Sequence, residues 1–592
     1  MSAPPTVEAR ALLALARDLH AETVRVPAPL GPTARALGLR SVHAGADLAV
    51  GGWELALDRS ACREGGAIVV AGAGDGPDLA RRALGLALTW HATTPLGPVL
   101  RRVPPARYRL PAGLSLRGRV LCCDRPFVAF ALSARGAALL ALVGDGSFTA
   151  AELAARAGHS LGPTATFLAA LARRRLVRAR AEPRAPHLPS VSCVVPALGR
   201  PGATRRAVRS LLEQDYPRDR YEVLVVDDGS APPLDAALAD LPVRVVRLPE
   251  NGGPARARNE GVRLARHGVV AFLDNDCVAS PAWLRTLTTE LDQPRVAIAG
   301  GRARSAERPG LIARYERVGS PLDMSASRGV EDAGRPAEVG PRADPPYLPS
   351  CNLVVRRRTF MALGGFREGM RLGEDVDLVW RACAAGHRVR YAPAAEVTHE
   401  PRERLLPFLR RRAEYASTEG ILARRFPADG RRDLHVPSAC VCLMAAGALL
   451  VRSPALAGGG ALLAAALLVA EAVDKTRRLR ALGVPAPPRR LLGALLRSHG
   501  AACYHFSRAV GRYASVPLLG ASVLEPTVAI FAALALPIAP VVDHRRKRPD
   551  LGLLAFLGLT ALEMAAYQAG VVWGCVKHRT LRPLWPRVRL DP

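Results

Sequence analysis

Two carboxylates stand one residue apart at the end of an apolar run: Val269 to Phe272 leads through Leu273 into Asp274-Asn275-Asp276. Side chains at i and i+2 of a strand share a face, so Asp274 and Asp276 leave the strand end side by side. Such a pair repels itself unless a cation lies near it, and carboxylate oxygens suit a hard divalent ion. Two more polar residues stand in comparable places, Asp228 after the run Tyr221 to Val226 and Asn251 after the run Val243 to Leu248. A second acidic group, Gly373-Glu374-Asp375-Val376-Asp377, follows the strand-like Ser350 to Val355 and the turn Gly364-Gly365-Phe366. Acids favour helix N-termini, so helix capping is as good a reading of Glu374 and Asp375 as a part in a site. Asp377 and Arg381 stand at i and i+4, a structural helix-face pair. His399, after the extended Val389 to Tyr391 and Ala394 to Val397, is the candidate third ligand of a metal.

These residues need a scaffold. The first strand is Val191 to Pro196, and an apolar-spaced helix through Ala207, Leu211 and Leu212 follows, ending at Gln214-Asp215-Tyr216-Pro217. Strands alternating with helices of this length argue for an α/β fold with a doubly wound, mostly parallel sheet. Ligands of such sheets sit beyond the carboxyl ends of the strands. Asp228, Asn251 and Asp276 all fall there, which points to one site.

The strings VVP, VVDDGS, NGGPARARN, FLDND and GEDVDLVWR, in this order between about Pro189 and Pro401, resemble a family 2 glycosyltransferase with the GT-A fold. The resemblance implies that Asp228 holds the uracil or ribose of a UDP-sugar donor. Pro196, Asn251, Arg256 and Asn259 join the donor side, the last two near the base and diphosphate. Asp276, with Asp274, binds Mg²⁺ or Mn²⁺ on the diphosphate. Asp375, beside Glu374, is the general base that takes the acceptor's proton, and attack opposite the leaving UDP inverts the anomeric carbon. A carboxylate suits that task because it is ionised at neutral pH.

The chain of 592 residues exceeds one ordinary domain. Its net charge is +30, yet only three of the basic residues are lysines, Lys475, Lys547 and Lys577. Arginine with abundant Ala, Gly, Pro and Leu reads as a coding bias. No basic tail or series of base-stacking aromatics accompanies it, so nucleic acid is a poor partner; a sugar nucleotide and anionic membrane lipids are better ones. The eleven cysteines include no C-x-x-C pair, which argues against structural zinc and a disulfide framework. Glu8, Arg10 and Arg17 interrupt the first apolar stretch, so it does not read as a signal peptide.

Residues 1–108 read as a small α/β piece, with a strand at Ala67 to Ala71 and a helix at Asp78 to Trp90. Residues 109–185 carry strands at Leu114 to Leu121 and Phe127 to Leu132, then helices at Gly136 to Val143, Leu153 to Ala157 and Thr164 to Arg174, and a closing strand at Leu176 to Arg178. Thr149 and Glu152 form a capping box. This order resembles the winged-helix-like PqqD-like modules that bind precursor peptides, on the string LSARGAALLALVGDGSFTAAELA. The catalytic domain covers 189–430. Residues 431–592 hold apolar runs near the spanning length of about 20 residues, beside the basic clusters Arg410 to Arg412, Lys475 to Arg480, His544 to Arg548 and Lys577 to Arg582. They read as membrane-associated helices on the inner membrane face. The last two clusters cannot both be cytosolic if Leu551 to Val576 crosses once, so at least one run is re-entrant, interfacial or packed.

The domain order from about Leu110 onward resembles the mycofactocin-system glycosyltransferases of actinobacteria. That resemblance implies transfer of glucose from UDP-glucose to a peptide-derived redox cofactor, as a β-glycoside, with a precursor peptide or maturation proteins as further partners. Processive members carry Q-x-x-R-W after the acidic helix, whereas this chain has Phe408-Leu409-Arg410-Arg411-Arg412, which suits distributive addition. Two other readings remain open: a lipid-linked or cell-envelope polysaccharide acceptor, and a peptide carrier with an inactive transferase domain.

Overall fold

The computed structural model describes residues 188–592 apart from 294, 326–333, 428–432, 436–437, 451, 482–487, 586 and 590–592. Residues 107–180 are described in part, and before them only short strand segments. The chain divides into two compact units, residues 1–185 with 472–495, and residues 186–471 with 496–592.

In the first unit, backbone segments including Ala46–Gly51, Cys62–Val70, Leu88–Thr94 and Gly97–Arg102 form a six-stranded sheet. The strand expected at Ala67 to Ala71 lies in it. The helix expected at Asp78 to Trp90 lies mostly outside the described residues, and its last three residues are strand. The single strand expected over Leu114 to Leu121 is instead a hairpin, Leu114–Arg117 with Val120–Asp124. Arg117 pairs with Val120. The capping box is present: Thr149 Oγ1 accepts from Glu152 N at 3.1 Å and Glu152 Oε2 from Thr149 N at 2.8 Å. The third helix expected here falls largely outside the described residues.

The second unit holds the site. Its strands are β1 (Val191–Ala197), β2 (Tyr221–Asp227), β3 (Arg244–Arg247), β4 (Val269–Leu273), β5 (Cys277–Ala279), β6 (Val296–Ser305), β7 (Asn352–Arg356) and β8 (Arg388–His399). They lie in the order β3-β2-β1-β4-β7-β6-β8-β5, with a two-residue ninth strand, Ala337–Glu338, against β8. The first four are parallel; β7 runs antiparallel to both β4 and β6. Half of the sheet is thus doubly wound as expected, and half is mixed. Every residue of β1 and β4 is buried, because helices cover both faces, and such strands read as unbroken apolar runs. The covering helices include α1 (Pro201–Leu212), α2 (Pro254–Leu264), α3 (Trp283–Leu291) and α5 (Glu374–Ala384); α4 (Leu311–Gly319) lies between β6 and β7 in the chain. The chain leaves β1 toward β2 on one side and reaches β4 on the other, so the crevice between the ends of β1 and β4 is the switch point where ligands gather.

A long helix, α6 (Leu405–Arg425), follows the sheet, then α7 (Ser438–Leu449), α8 (Pro454–Ala481), α9 (Pro488–Tyr513), α10 (Ser515–Leu524), α11 (Pro526–Ala535), α12 (Ile538–Lys547) and α13 (Leu553–Lys577). Among the described residues three helices are long and apolar enough to cross a membrane: Pro454–Ala481, Pro526–Lys547 and Leu553–Lys577. The last is docked along α6 by glycines. A Cβ at Gly570 would lie 2.1 Å from the Ala413 carbonyl oxygen, and one at Gly574 2.2 Å from that of Ser417. Beside this seam, buried Arg412 of α6 pairs with Glu563 of α13 at 3.0 Å, and Tyr315 of α4 donates to the same carboxylate at 2.5 Å. Asp377 is fully buried and holds Arg381 at 2.6 Å, as its spacing suggested, and also Arg425 of α6 at 2.7 Å. The packing leaves no room for a side chain at the seam, so Gly570→Ala should cost about 1–3 kcal/mol, the usual toll of overpacking. Thermal unfolding of the detergent-solubilised protein checks this; an unchanged melting temperature would show the seam to be loose.

Candidate active site

The site is built from the loops after β1, β2, β3 and β4, closed by the start of α5. Asp228 follows β2 and is 4% exposed. Its two oxygens accept from Gly252 N at 2.9 Å and Gly253 N at 2.8 Å, fixing the turn that carries Asn251. Each carboxylate oxygen keeps a second lone pair. A Cβ at Gly229, whose φ is +77°, would sit 2.9 Å from the Asn251 nitrogen, so only glycine lets the two loops approach this closely. Asn251 turns its side-chain oxygen to Gly253 N at 3.1 Å. Pro196 sits in the last turn of β1, buried and paired with Val226.

Asp274 and Asp276 leave β4 as expected, but they face different cations. Asp274 Oδ1 accepts from Arg258 at 2.6 Å. Asp276 Oδ2 accepts from Arg200 at 3.1 Å, with His399 Nε2 3.7 Å away. Antiparallel pairing of β5 with β8, Cys277 opposite His399, brings that histidine to Asp276 across a long stretch of sequence. Arg200 holds a left-handed backbone, φ 54°, at the start of α1 and also pairs with Glu400. Strained non-glycine residues persist where the surroundings force them, commonly at sites. Beside Arg200 opens a cleft of about 540 Å³, lined also by Arg308, Glu400, Arg402 and Arg404, a basic mouth suited to drawing in an anionic substrate.

The acidic pair of α5 does not cap its helix: Gly373 holds the cap position and makes no side-chain cap bond. Glu374 instead accepts from Arg258 at 3.0 Å. Asp375 accepts from Val376 N at 2.8 Å and Ser350 N at 3.3 Å. Burial, then the charge of Glu374, push the Asp375 carboxyl up to about 7, against the opposing effect of Arg258. Burial likewise raises Glu374, with Arg258 opposing. Asp375 therefore does not stay ionised throughout the neutral range, as a generic carboxylate would; it titrates there, where a general base is most effective.

Arg258 is the residue the motif pattern missed. It is 2% exposed and bridges Asp274 to Glu374. Burial works against its charge, but the two carboxylates outweigh that and hold it protonated. The sequence reading favoured Arg256, which lies at the surface on Glu250 at 3.3 Å. The missed signal was helical phase: Ala255, Arg258 and Val262 recur at i, i+3 and i+7, and all are buried. Asn259, also expected on the donor side, spends its amide on the loop before α5. Its oxygen accepts from Phe366 N at 2.9 Å, and its nitrogen donates to Phe366 O at 2.8 Å and to Glu368 at 3.0 Å. It positions that loop.

The donor set suits a divalent ion. Asp276 offers a partly exposed carboxylate that already attracts a cationic side chain, His399 lies beside it, and Asp274 uses only one oxygen on Arg258. Among the described residues no three His, Cys, Asp or Glu side chains close into a cage. Mg²⁺ and Mn²⁺ sites of this kind take one or two carboxylates and leave the other positions to water and phosphate oxygens.

A matching architecture is known. Residues 192–340 match the glycosyl transferase family 2 model and residues 269–470 the glycosyl transferase family group 2 model. The chain belongs to the family 2 glycosyltransferases. It is similar to the pre-mycofactocin glycosyltransferase of Mycobacterium tuberculosis, 34% identical over 441 residues that cover 71% of this chain and 87% of that one. It is also similar to the succinoglycan biosynthesis protein ExoO of Rhizobium meliloti, 30% identical over 41% of this chain and 70% of that one. Among solved structures, a mannosyltransferase of Pyrobaculum calidifontis aligns over 60% of this chain and 90% of its own at 20% identity and a TM-score of 0.33.

The electrostatics of Asp375 generate a pH test. With its pKa raised to about 7, the Asp375 carboxylate takes up a proton as pH falls through that value, and a reaction that uses it as base slows there. Arg258 lowers that value, so Arg258→Met should move the acid limb of the kcat profile to higher pH. A profile that keeps its acid limb while only the rate falls would show that Arg258 does not set the base.

Proposed function

We propose that the enzyme is an inverting, divalent-cation-dependent glucosyltransferase, moving glucose from UDP-glucose to the precursor of a peptide-derived redox cofactor of the mycofactocin type. The observation that carries the mechanism is the Arg258 bridge, because it ties the diphosphate aspartates to the base as one unit. Asp228, with the Asn251 turn it anchors, receives the uridine; Pro196 and Asn251 flank it. Asp276, His399 and the second oxygen of Asp274 would hold Mg²⁺ or Mn²⁺, which neutralises charge on the leaving diphosphate. Asp375 takes the proton of the acceptor hydroxyl as its oxygen bonds to the anomeric carbon. The bond from that carbon to the diphosphate oxygen breaks on the opposite face, UDP departs, and a β-glycoside results. Arg200 and Arg258 keep the leaving side positive. Glu374 stays on Arg258, a positioning residue beside the base.

The acceptor class rests on the extensive similarity to the pre-mycofactocin enzyme. Residues 109–185, taken as a PqqD-like peptide-binding module, would deliver a peptide-derived acceptor or its maturation partners. The helices Pro454–Ala481 and Pro526–Lys547 support residence at the membrane, and the cytosolic face, where sugar nucleotides are found, is the side proposed. The docking of α13 along α6 supports a reading in which the helix between the last two basic clusters does not cross, so that both clusters lie on one side. Those same apolar helices favour a second reading, a lipid-linked acceptor.

Titration with UDP should show Mn²⁺-dependent binding that Asp276→Ala weakens about tenfold or more; equal binding by the variant would remove the metal assignment. Asp375→Asn should cut turnover by about 10²–10⁴-fold and leave UDP affinity nearly unchanged. Normal turnover in that variant would move the base elsewhere. In cell fractionation the protein should stay with membranes through high salt and carbonate, and full recovery in the soluble fraction would leave only a packed bundle.

A further inference from the structure

We infer that the C-terminal helices complete the acceptor pocket, with Arg512 of α9 and Tyr567 of α13 forming, together with Tyr347 and Tyr415, a wall that seats a small, flat-faced, hydroxyl-bearing acceptor against Asp375. This rests on the transfer reaction proposed above and names the part of the site that chooses the acceptor.

The geometry runs outward from the base. A Cβ on Gly373, immediately before the acidic pair, would lie 3.2 Å from the Thr418 side chain, so α6 abuts the turn that carries Asp375. Tyr415 is one turn earlier on the same face of α6, with the Arg411 guanidinium 4.7 Å from its ring centroid. One residue past Thr418, Glu419 accepts from Tyr513 of α9 at 3.0 Å and from Tyr567 of α13. The Arg512 guanidinium lies over the Tyr567 ring, 4.9 Å from its centroid. The Tyr347 hydroxyl is fixed on the Pro321 carbonyl at 3.1 Å. The charge of Asp375 reaches both Tyr347 and Tyr415, and Tyr567 and Arg512 act on Tyr347 as well. Burial is the main cause that raises the protons of Asp375, Tyr347 and Tyr415, yet each keeps some solvent contact. All three are half-buried.

Three tyrosines and a stacked guanidinium define the ligand. Ring faces hold a flat apolar or C–H surface, and a guanidinium clamped over an aromatic ring presents hydrogen bonds in a fixed plane. That suits a carbonyl-bearing aromatic or a sugar ring better than a polyprenyl chain. It also gives the apolar helices a part in specificity beyond anchoring, which explains why α13 is sealed to α6 by glycines and a buried ion pair.

The test uses the full-length protein in detergent with two probes, pre-mycofactocin as acceptor and para-nitrophenyl β-glucoside as a binding probe that presupposes no cofactor. Arg512→Met and Tyr567→Leu should raise the acceptor KM and the probe Kd by about tenfold or more, with kcat changed far less. Manganese-dependent UDP binding and hydrolysis of UDP-glucose by water should stay at wild-type levels, which a merely structural loss would not allow. Arg512→Lys, the milder change if Arg512→Met fails to fold, should give an intermediate rise. Unchanged KM and Kd in the variants would overturn the subsite while leaving the transfer reaction standing. Wild-type enzyme inert toward pre-mycofactocin, with probe binding still lost in the variants, would keep the subsite and overturn the cofactor reading.

Discussion

The buried guanidinium of Arg258 is the interaction on which the site depends. It lies between Asp274, at the end of β4, and Glu374, at the start of α5, and is itself almost fully excluded from water. Burying a guanidinium and the Glu374 carboxylate beside a half-buried Asp274 is costly unless each is paired. Removing the arginine would leave like charges facing one another in a poor dielectric. The requirement fixes α5 against the parallel half of the sheet and so sets how far Asp375 stands from Asp274 and Asp276. It also tunes Asp375, which feels Glu374 pushing its proton on and Arg258 pulling it off.

The same logic extends outward. Asp377, on the next face of α5, collects Arg367, Arg381 and Arg425 and so ties α5 to α6. From α6, the pair of Arg412 with Glu563 and the glycine seam reach α13. A continuous run of buried ion pairs and close helix contacts therefore joins the active site to the apolar C-terminal helices. Five of the arginines that composition alone assigned to coding bias, Arg258, Arg367, Arg381, Arg412 and Arg425, are spent on these pairs.

The parallel half of the sheet and the carboxylates at its strand ends were legible because β-branched runs and a terminal carboxylate make strong local signals. Asp228 follows β2, Asp274 and Asp276 follow β4, and Asp375 opens α5. The capping box at Thr149 and Glu152 is a purely local device that formed as written. What was not legible depended on long-range pairing. His399 reaches Asp276 only through the pairing of β5 with β8. The choice between Arg256 and Arg258 needed the helical phase of α2, and the motif order drew attention away from it. Asn259 looked like a ligand residue because a side-chain amide that holds a loop carries no local mark. The antiparallel pair Leu114–Arg117 and Val120–Asp124 was read as one strand because only two residues separate its arms in the sequence.

The account predicts a single displacement, with Asp375 on the face opposite the leaving diphosphate. The anomeric configuration of the glycoside formed from UDP-glucose, read by proton NMR, tests that arrangement directly. A β-glycoside is expected. An α-glycoside would contradict it, since retention needs either a second displacement or attack from the donor face, and Asp375 could then not be the base of the transfer step.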